Sequence, residues 1–411
     1  MVKKPLVSVV ILNYNGRRFI ETCLKSVLND TFYSNFEVIL VDNASTDGSI
    51  ELVKRRFERD PRLIIVRNNK NLGFAEGNNV GVRYARGEYI VFLNSDTVVD
   101  NNWLTELVKV MNSDQIIGAA QSKLLLLRQP EYLDSTGDYI DYYGLPIRRG
   151  GGWKEKDYGQ YNHIEEIFSA RGAAMIVRRS VIREVGLFDP KFFLSYEDID
   201  LCWRIRLRGY KVVFVPKSVI YHLGEASSPP ADSPQKIFHM TKNHIATMLK
   251  NSPTKSLEKY NPLSLITLFM IIDLIKRRPI LFMVRIKAIV WIIRNFKYVW
   301  RERVKTRIHI RKCRDEMVMK YMLKTNFTSL FRLFLNAYKY GYNFAIKNYF
   351  EKGFSFKQKV RNGNEQECRL SSSSVPPSTL NWLKFASSML LAIYLLGYFN
   401  ILLRSIQNFI W

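Results

Sequence analysis

Cysteine is scarce in this chain: four in 411 residues, Cys23, Cys202, Cys313 and Cys368, each alone in its stretch. With no Cys-x-x-Cys pair, neither a zinc site nor a disulfide framework is indicated, and the N-terminal part is expected to work in the cytosol. Acidic residues run short in the C-terminal part. Residues 236–411 hold 31 Lys and Arg against 8 Asp and Glu, and residues 1–235 hold 31 against 29, so +23 of the net +25 lies beyond residue 235. The start lacks an apolar run long enough for a secretory signal. Lys3-Lys4 precedes only residues 6–12 before Asn13-Tyr14-Asn15-Gly16 interrupts, and the run reads as a buried first strand. What the chain does have is 47% apolar residues, enough for a packed core. A basic part rich in Ile, Leu, Phe, Tyr and Trp suggests an anionic surface as partner. No nucleic-acid-binding motif is present, and Lys and Arg alternate with long apolar runs, which favours lipid over nucleic acid.

From residue 6 to about 125, β-rich runs at 7–12, 37–41, 63–67 and 89–93 alternate with helix-compatible stretches at 19–28, 49–59, 77–85 and 103–112. That order predicts βαβ units and an α/β fold with a mainly parallel sheet under flanking helices. Each strand ends in a polar loop: Asn13-Tyr14-Asn15-Gly16, Asp42-Asn43-Ala44-Ser45, 68–71, and Asn94-Ser95-Asp96. Ligands of open α/β sheets sit beyond the carboxyl ends of the strands, so the four loops should meet at one crevice. Residues 128–165, rich in Tyr, Gly, Asp and Arg, are expected to form loops and small strands around an acceptor or sugar pocket. A helix over 196–208, a strand over 211–215 and Tyr221-His222 follow.

Pro229, Pro230 and Pro234 mark a change of character. The domain reading is therefore a catalytic domain over 1–235, a basic amphipathic helical region over 236–350 associated with membrane, a polar linker over 351–379, and a transmembrane helix with a short tail over 380–411. Residues 263–275 are apolar but too few to span a bilayer, and Lys276-Arg277-Arg278-Pro279 stops them. Lys287, Arg294, Lys297, Arg301 and Lys305 share one helical face, with Ile289, Val290, Ile293 and Phe296 elsewhere on the wheel, the pattern of a helix lying in an anionic interface. Residues 385–403 are nineteen uncharged residues between Lys384 and Arg404, the length of a spanning helix.

Asn94-Ser95-Asp96 would serve equally as a turn or as a carboxylate set over a ligand crevice for a hard cation on a pyrophosphate. Asp42 at a second strand end has an alternative role as a helix cap with Asp47 and Ser49. Glu197-Asp198-Ile199-Asp200 places three acids in four residues, which suits either a helix N-terminus whose dipole favours acids or a general base. On spacing alone His222 reads as a core histidine.

Together these segments resemble the inverting glycosyltransferase family 2, and within it the rhamnosyltransferase-like branch, over roughly residues 6–228. The matching pieces are residues 7–15, Val41-Asp42-Asn43-Ala44-Ser45-Thr46-Asp47-Gly48-Ser49, Asn71-Leu72-Gly73-Phe74 with Gly77-Asn78-Asn79, Asn94-Ser95-Asp96, Gly172-Ala173-Ala174, Gly186-Leu187-Phe188-Asp189, Tyr196-Glu197-Asp198-Ile199-Asp200-Leu201 and His222. The resemblance implies a GT-A fold, a nucleotide-sugar co-substrate and Mg²⁺ or Mn²⁺. It implies that Asn13, Tyr14, Asn15, Asp42, Asn71, Gly73 and Asn94 bind the nucleotide-sugar, that Asp96 and His222 hold the metal, and that Asp198, with Glu197 beside it, is the catalytic base. Asn94 stands where the family's motif has an acid, which leaves more of the metal's charge to Asp96.

The competing reading is a sugar nucleotidyltransferase, which uses a similar sheet and metal. Such enzymes carry a Gly-rich basic loop after the first strand, and here that loop is Asn13-Tyr14-Asn15-Gly16. The expected acceptor is a glycan, most simply one linked to a polyprenyl lipid at a cell membrane, with the enzymatic domain on its cytoplasmic side.

Overall fold

Strand β1 (Val7–Asn13) is buried along nearly its whole length, the signature of a sheet covered on both faces. A computed structural model describes residues 4–151, 155–224 and 229–325. After β1 come α1 (Ile20–Asn29), β2 (Phe36–Asp42), α2 (Ser49–Phe57), β3 (Leu63–Arg67), α3 (Gly73–Tyr84), β4 (Tyr89–Asn94), β5 (Thr97–Val99) and α4 (Trp103–Ser113). Next are β6 (Ile117–Leu126), β7 (Gln129–Ser135), β8 (Asp138–Ile140), β9 (Pro146–Arg148), β10 (Glu165–Glu166), β11 (Ala174–Arg178), α5 (Arg179–Val185), α6 (Glu197–Arg208) and β12 (Lys211–His222). Helices α7 (Pro234–Asn251), α8 (Thr254–Lys259), α9 (Pro262–Ile275), α10 (Pro279–Arg294) and α11 (Phe296–Val304) follow, then a π-helical stretch (Lys305–Ile310) and α12 (Asp315–Met319).

The main sheet runs β10-β12-β6-β11-β4-β1-β2-β3. Strands β3, β2, β1 and β4 are parallel to one another, β11 is antiparallel to both β4 and β6, and β12 is parallel to β6. This is the GT-A-like α/β architecture expected. Successive side chains alternate faces. Val7, Val9 and Ile11 pack with Ile20, Leu24 and Trp103 on one face, and Val10 packs with Ile39, Val80 and Phe188 on the other. Helix α3 lies close against the sheet because Gly81 has no side chain: a Cβ there would sit 2.4 Å from Val10 Cγ1.

Three expectations change. The strand foreseen at 211–215 continues to His222, because an irregularity in its pairing with β6 between Val215 and Val219 absorbs Pro216 instead of ending the strand. The boundary at 235 is not a break in packing. Pro234 is the first residue of α7, capped by Ser233, and Ile245, Met248 and Leu249 of that helix share an apolar core with Val10 and Phe92. The apolar run 263–275 is a packed helix, with Leu263, Ile266 and Met270 in the same core.

The basic stripe Lys287, Arg294, Lys297, Arg301 and Lys305 is exposed; of the apolar residues elsewhere on the wheel Ile289 is buried, Phe296 is half-buried, and Val290 and Ile293 are exposed. No helix among the described residues is long and apolar enough to cross a membrane. The expectations for 351–379 and 380–411, including the span at 385–403, lie outside the described residues, as does 326–350. Among the described cysteines, Cys23 and Cys202 are buried thiols.

Candidate active site

The carboxyl ends of β1, β2 and β4, the start of α3 and the start of α6 surround a cleft of about 530 Å³. Of the residues singled out in the sequence, Tyr14, Asn71, Gly73, Asn94, Glu197, Asp198 and His222 line it. Asn13, Asn15, Asp42 and Asp96 do not.

Those four have other partners. Asn13 is fully buried, and its Nδ2 donates to Ser45 Oγ at 3.1 Å and Ser49 Oγ at 2.9 Å, fastening β1 to the loop after β2. Asn15, at φ 51°, accepts from the Thr46 amide at 2.9 Å and lies outside the cleft. Asp42 accepts from the Ser45 amide at 3.2 Å, and its other oxygen is 3.5 Å from Arg67 Nε, so its own loop and β3 share its carboxylate. Asn43 was not singled out, yet it is buried at the cleft wall and joins two loops. Its Nδ2 donates to Asn71 Oδ1 at 2.8 Å, and its Oδ1 accepts from the Leu72 amide at 2.9 Å.

The opposite wall is built on the loop before α6. Phe193, Ser195 and Tyr196 all have left-handed backbone, at φ 61°, 67° and 71°. Each such residue costs about 1–3 kcal/mol, so the loop persists only because its surroundings impose it. Gly73 is one cause. Its φ is +76°, and a Cβ there would lie 2.5 Å from the Phe193 carbonyl, the oxygen that caps the start of α3 by accepting from the Phe74 and Ala75 amides. The loop delivers Asp198 half-buried into the first turn of α6, where its oxygens accept from the Gly172 amide at 3.2 Å and the Ile199 amide at 2.8 Å. Burial raises the Asp198 carboxyl above the usual carboxylate range; the charge of Asp138 adds to the rise and that of Arg171 opposes it. Glu197 is buried beside it and pushed up to about 8, by burial first and by Asp198 second. Asp200, the third acid, is structural: it is fully buried and paired with Arg204 and Lys250, each at 3.0 Å.

His222, at the end of β12, links the metal candidates. Its Nε2 is 3.3 Å from Asp96 Oδ1 and 3.4 Å from Asn94 Nδ2, and its Nδ1 is 2.8 Å from Asp134 Oδ2. Burial works against a charged imidazole, but the hydrogen bonds to Asp134 and Asp96 outweigh it and raise His222 to about 9. Among the described residues no three His, Cys, Asp or Glu side chains cluster to hold an ion. Asp96 and His222 are two donors at ligand spacing with a carboxylate behind the imidazole, which fits a divalent cation that takes its other ligands from a diphosphate and water. Their partner Asp134, together with Asp138 and Arg171 (3.1 Å apart), went unnoticed because the segment carrying the two acids has no periodicity to mark which face it presents.

A crevice at the carboxyl ends of parallel strands, with His222 on one wall backed by Asp96 and a carboxylate at a helix start on the other, has the parts of a group-transfer site of the α/β class. Residues 8–125 match the model of glycosyl transferase family 2, and residues 89–233 that of glycosyl transferase family group 2. The chain is 35% identical over 226 residues to glycosyltransferase GlyG of Streptococcus pneumoniae serotype 4, covering 51% of this chain and 68% of that protein. It is 29% identical over 232 residues to the O-antigen biosynthesis protein RfbC of Myxococcus xanthus, covering 56% of this chain and 18% of that one. A crystal structure of GalNAc-T7 with UDP, GalNAc and Mn²⁺ superposes with a TM-score of 0.51 at 19% identity, over 61% of this chain and 48% of that one, a likeness of fold. The chain belongs to glycosyl transferase family 2, which sets the nucleotidyltransferase reading aside. It spans only 26% and 18% of the length of two of its curated relatives.

Proposed function

We propose that the protein moves a sugar, with inversion, from a nucleoside-diphosphate donor to a hydroxyl of a lipid-linked glycan. One relationship carries the proposal. The Gly172 amide donates to Asp198, and the carbonyl of the next residue, Ala173, accepts from the Asn94 amide at 3.1 Å, so two consecutive residues tie the base to the strand end beside Asp96 and His222. Tyr14, 44% exposed at the cleft, offers its ring to the nucleotide base. Asn71 and Gly73 shape the floor beside it, and Asn13, Asn15 and Asp42 hold the loops that bring Tyr14 there.

Asp198 takes the proton of the acceptor hydroxyl as that oxygen bonds to the anomeric carbon. The bond from that carbon to the diphosphate oxygen breaks on the opposite face, and its electron pair leaves with the nucleoside diphosphate. Asp96 and His222 would hold Mg²⁺ or Mn²⁺, which when bound supplies positive charge to the departing diphosphate. The order of motifs supports the rhamnosyltransferase-like branch.

The acceptor reading draws on a surface beside the start of α7, where Arg277, Arg278 and Ile280 lie with Asp232 and Pro234. Ile275 and Ile280 are 59% and 67% exposed at the α9–α10 turn, flanked by Lys276, Arg277 and Arg278, as suits a surface resting on anionic lipid at the cytoplasmic face of a cell membrane. The test is to incubate the full-length chain in detergent with a panel of UDP-, GDP- and dTDP-sugars and membrane lipid extract, reading products by mass spectrometry and anomeric configuration by NMR. Transfer with inversion is expected. Failure to consume any donor, or a retained configuration, overturns the proposal.

A further inference from the structure

We infer that Asn243, on α7 and outside the cleft, is a positioning residue that holds the loop carrying the catalytic carboxylates in its strained shape. The side chain is buried, and its Nδ2 lies 2.8 Å from the Phe192 carbonyl oxygen, 2.9 Å from that of Leu194 and 2.7 Å from that of Ser195. Three carbonyls from four consecutive residues turn toward one amide group, in a run where Phe193 and Ser195 have left-handed backbone. The orientation of that amide is settled by its neighbour. Lys242 Nζ donates to Asn243 Oδ1 at 2.6 Å and to the Lys191 carbonyl at 2.7 Å, so the oxygen of Asn243 faces the ammonium and the nitrogen faces the loop.

The one carbonyl of the run that Asn243 does not take, that of Phe193, points the other way and caps α3. The Phe193 ring stacks on His239 of α7, with centroids 4.9 Å apart. The loop is therefore clamped from both sides, by the α3 start and by α7, with Glu197 and Asp198 following directly. An aspartate at 243 would set a carboxylate against three carbonyl oxygens and open the clamp. An alanine would take this donor from the half-buried Leu194 and Ser195 oxygens, while the Phe192 oxygen keeps the Leu194 amide at 2.7 Å.

With Asp198 as the base proposed above, opening the clamp misplaces the base while leaving the strand ends that bind the nucleotide as they are. The full-length chain, Asn243→Asp, Asn243→Ala and a control, Thr241→Val, are compared. Thr241 is buried on α7 like Asn243, but its hydroxyl accepts from Arg285 Nη1 of α10 at 3.3 Å. Hydrogen exchange read by mass spectrometry should show residues 190–200 losing protection at least tenfold in both Asn243 variants, and not in the control, at a temperature where all remain folded. With whichever donor of the panel the wild type turns over, kcat should fall at least tenfold in the Asn243 variants with the donor KM within about threefold. Unchanged protection of 190–200, or a kcat loss matched by the control, overturns the inference. If no donor is turned over, the exchange measurement still decides the clamp, and the transfer proposal alone fails.

Discussion

Asp134 Oδ2 lies 2.8 Å from His222 Nδ1, on the side of the ring opposite Asp96. A carboxylate behind a ligating imidazole fixes its tautomer and orientation, and removing one commonly weakens metal affinity about 10–100-fold. Asp134→Asn should therefore weaken Mn²⁺-dependent nucleotide binding by that factor, and Asp96→Ala and His222→Ala by at least as much. The measurement is a Mn²⁺ titration of UDP or GDP binding, with EDTA as reference. Nucleotide binding indifferent to EDTA would remove the metal from this site.

The two neighbouring carboxylates should separate by isosteric substitution. Glu197 is held near 8, so at neutral pH it is mostly protonated, and Glu197→Gln preserves its charge state and shape. That variant should keep kcat within about threefold. Asp198→Asn should lose about 10² or more, because an amide cannot take the acceptor proton. Steady-state kinetics on both variants with one donor decides, and the reverse order would make Glu197 the base.

Asp200 should prove structural. Removing one partner of a buried ion pair leaves the others uncompensated, so Asp200→Ala should cost about 3–5 kcal/mol by strict pair-breaking, with Arg204 and Lys250 left behind. Denaturant unfolding measures the loss. Full stability with lost turnover would return Asp200 to the catalytic set.

Acid should destabilise the fold partly through His244. Burial holds it down to about 4, against its ordinary 6.5. Between those values the unfolded chain binds a proton that the native chain does not, so native stability falls as pH drops from 6.5 toward 4, by up to about 1.4 kcal/mol for each pH unit. The stability gap between wild type and His244→Leu should narrow from pH 7 to pH 5 in urea titrations. A gap independent of pH would contradict this.

The α9–α10 turn should bind anionic bilayers through apolar and basic groups together. Ile275→Ser with Ile280→Ser should lower binding to vesicles containing phosphatidylglycerol at least fivefold in flotation assays. High salt should weaken what remains, because charge is screened and apolar insertion is not. Equal binding to neutral vesicles would exclude a role for charge.

Sequence periodicity alone located the first four strands to within a residue or so at each end, because a strand covered on both faces must be apolar throughout and a helix beside it must be apolar on one side. It also marked the polar strand ends, Asp96, and the Glu197-Asp198 pair, since those signals are local. The beginning of α3 was legible only in part: its first turn, from Gly73, is held by the carbonyl of Phe193, which lies far along the chain. The rest was decided by tertiary structure. Asp134 and His222 are 88 positions apart and Asn243 and Ser195 are 48 apart. Such pairs meet only because β12 lies against β6 and α7 packs on α6, and no local pattern encodes which strand or helix will be the neighbour. Burial, too, is a property of the whole fold, and it separates Asp198 at the cleft from Asp200 two residues later, locked between Arg204 and Lys250.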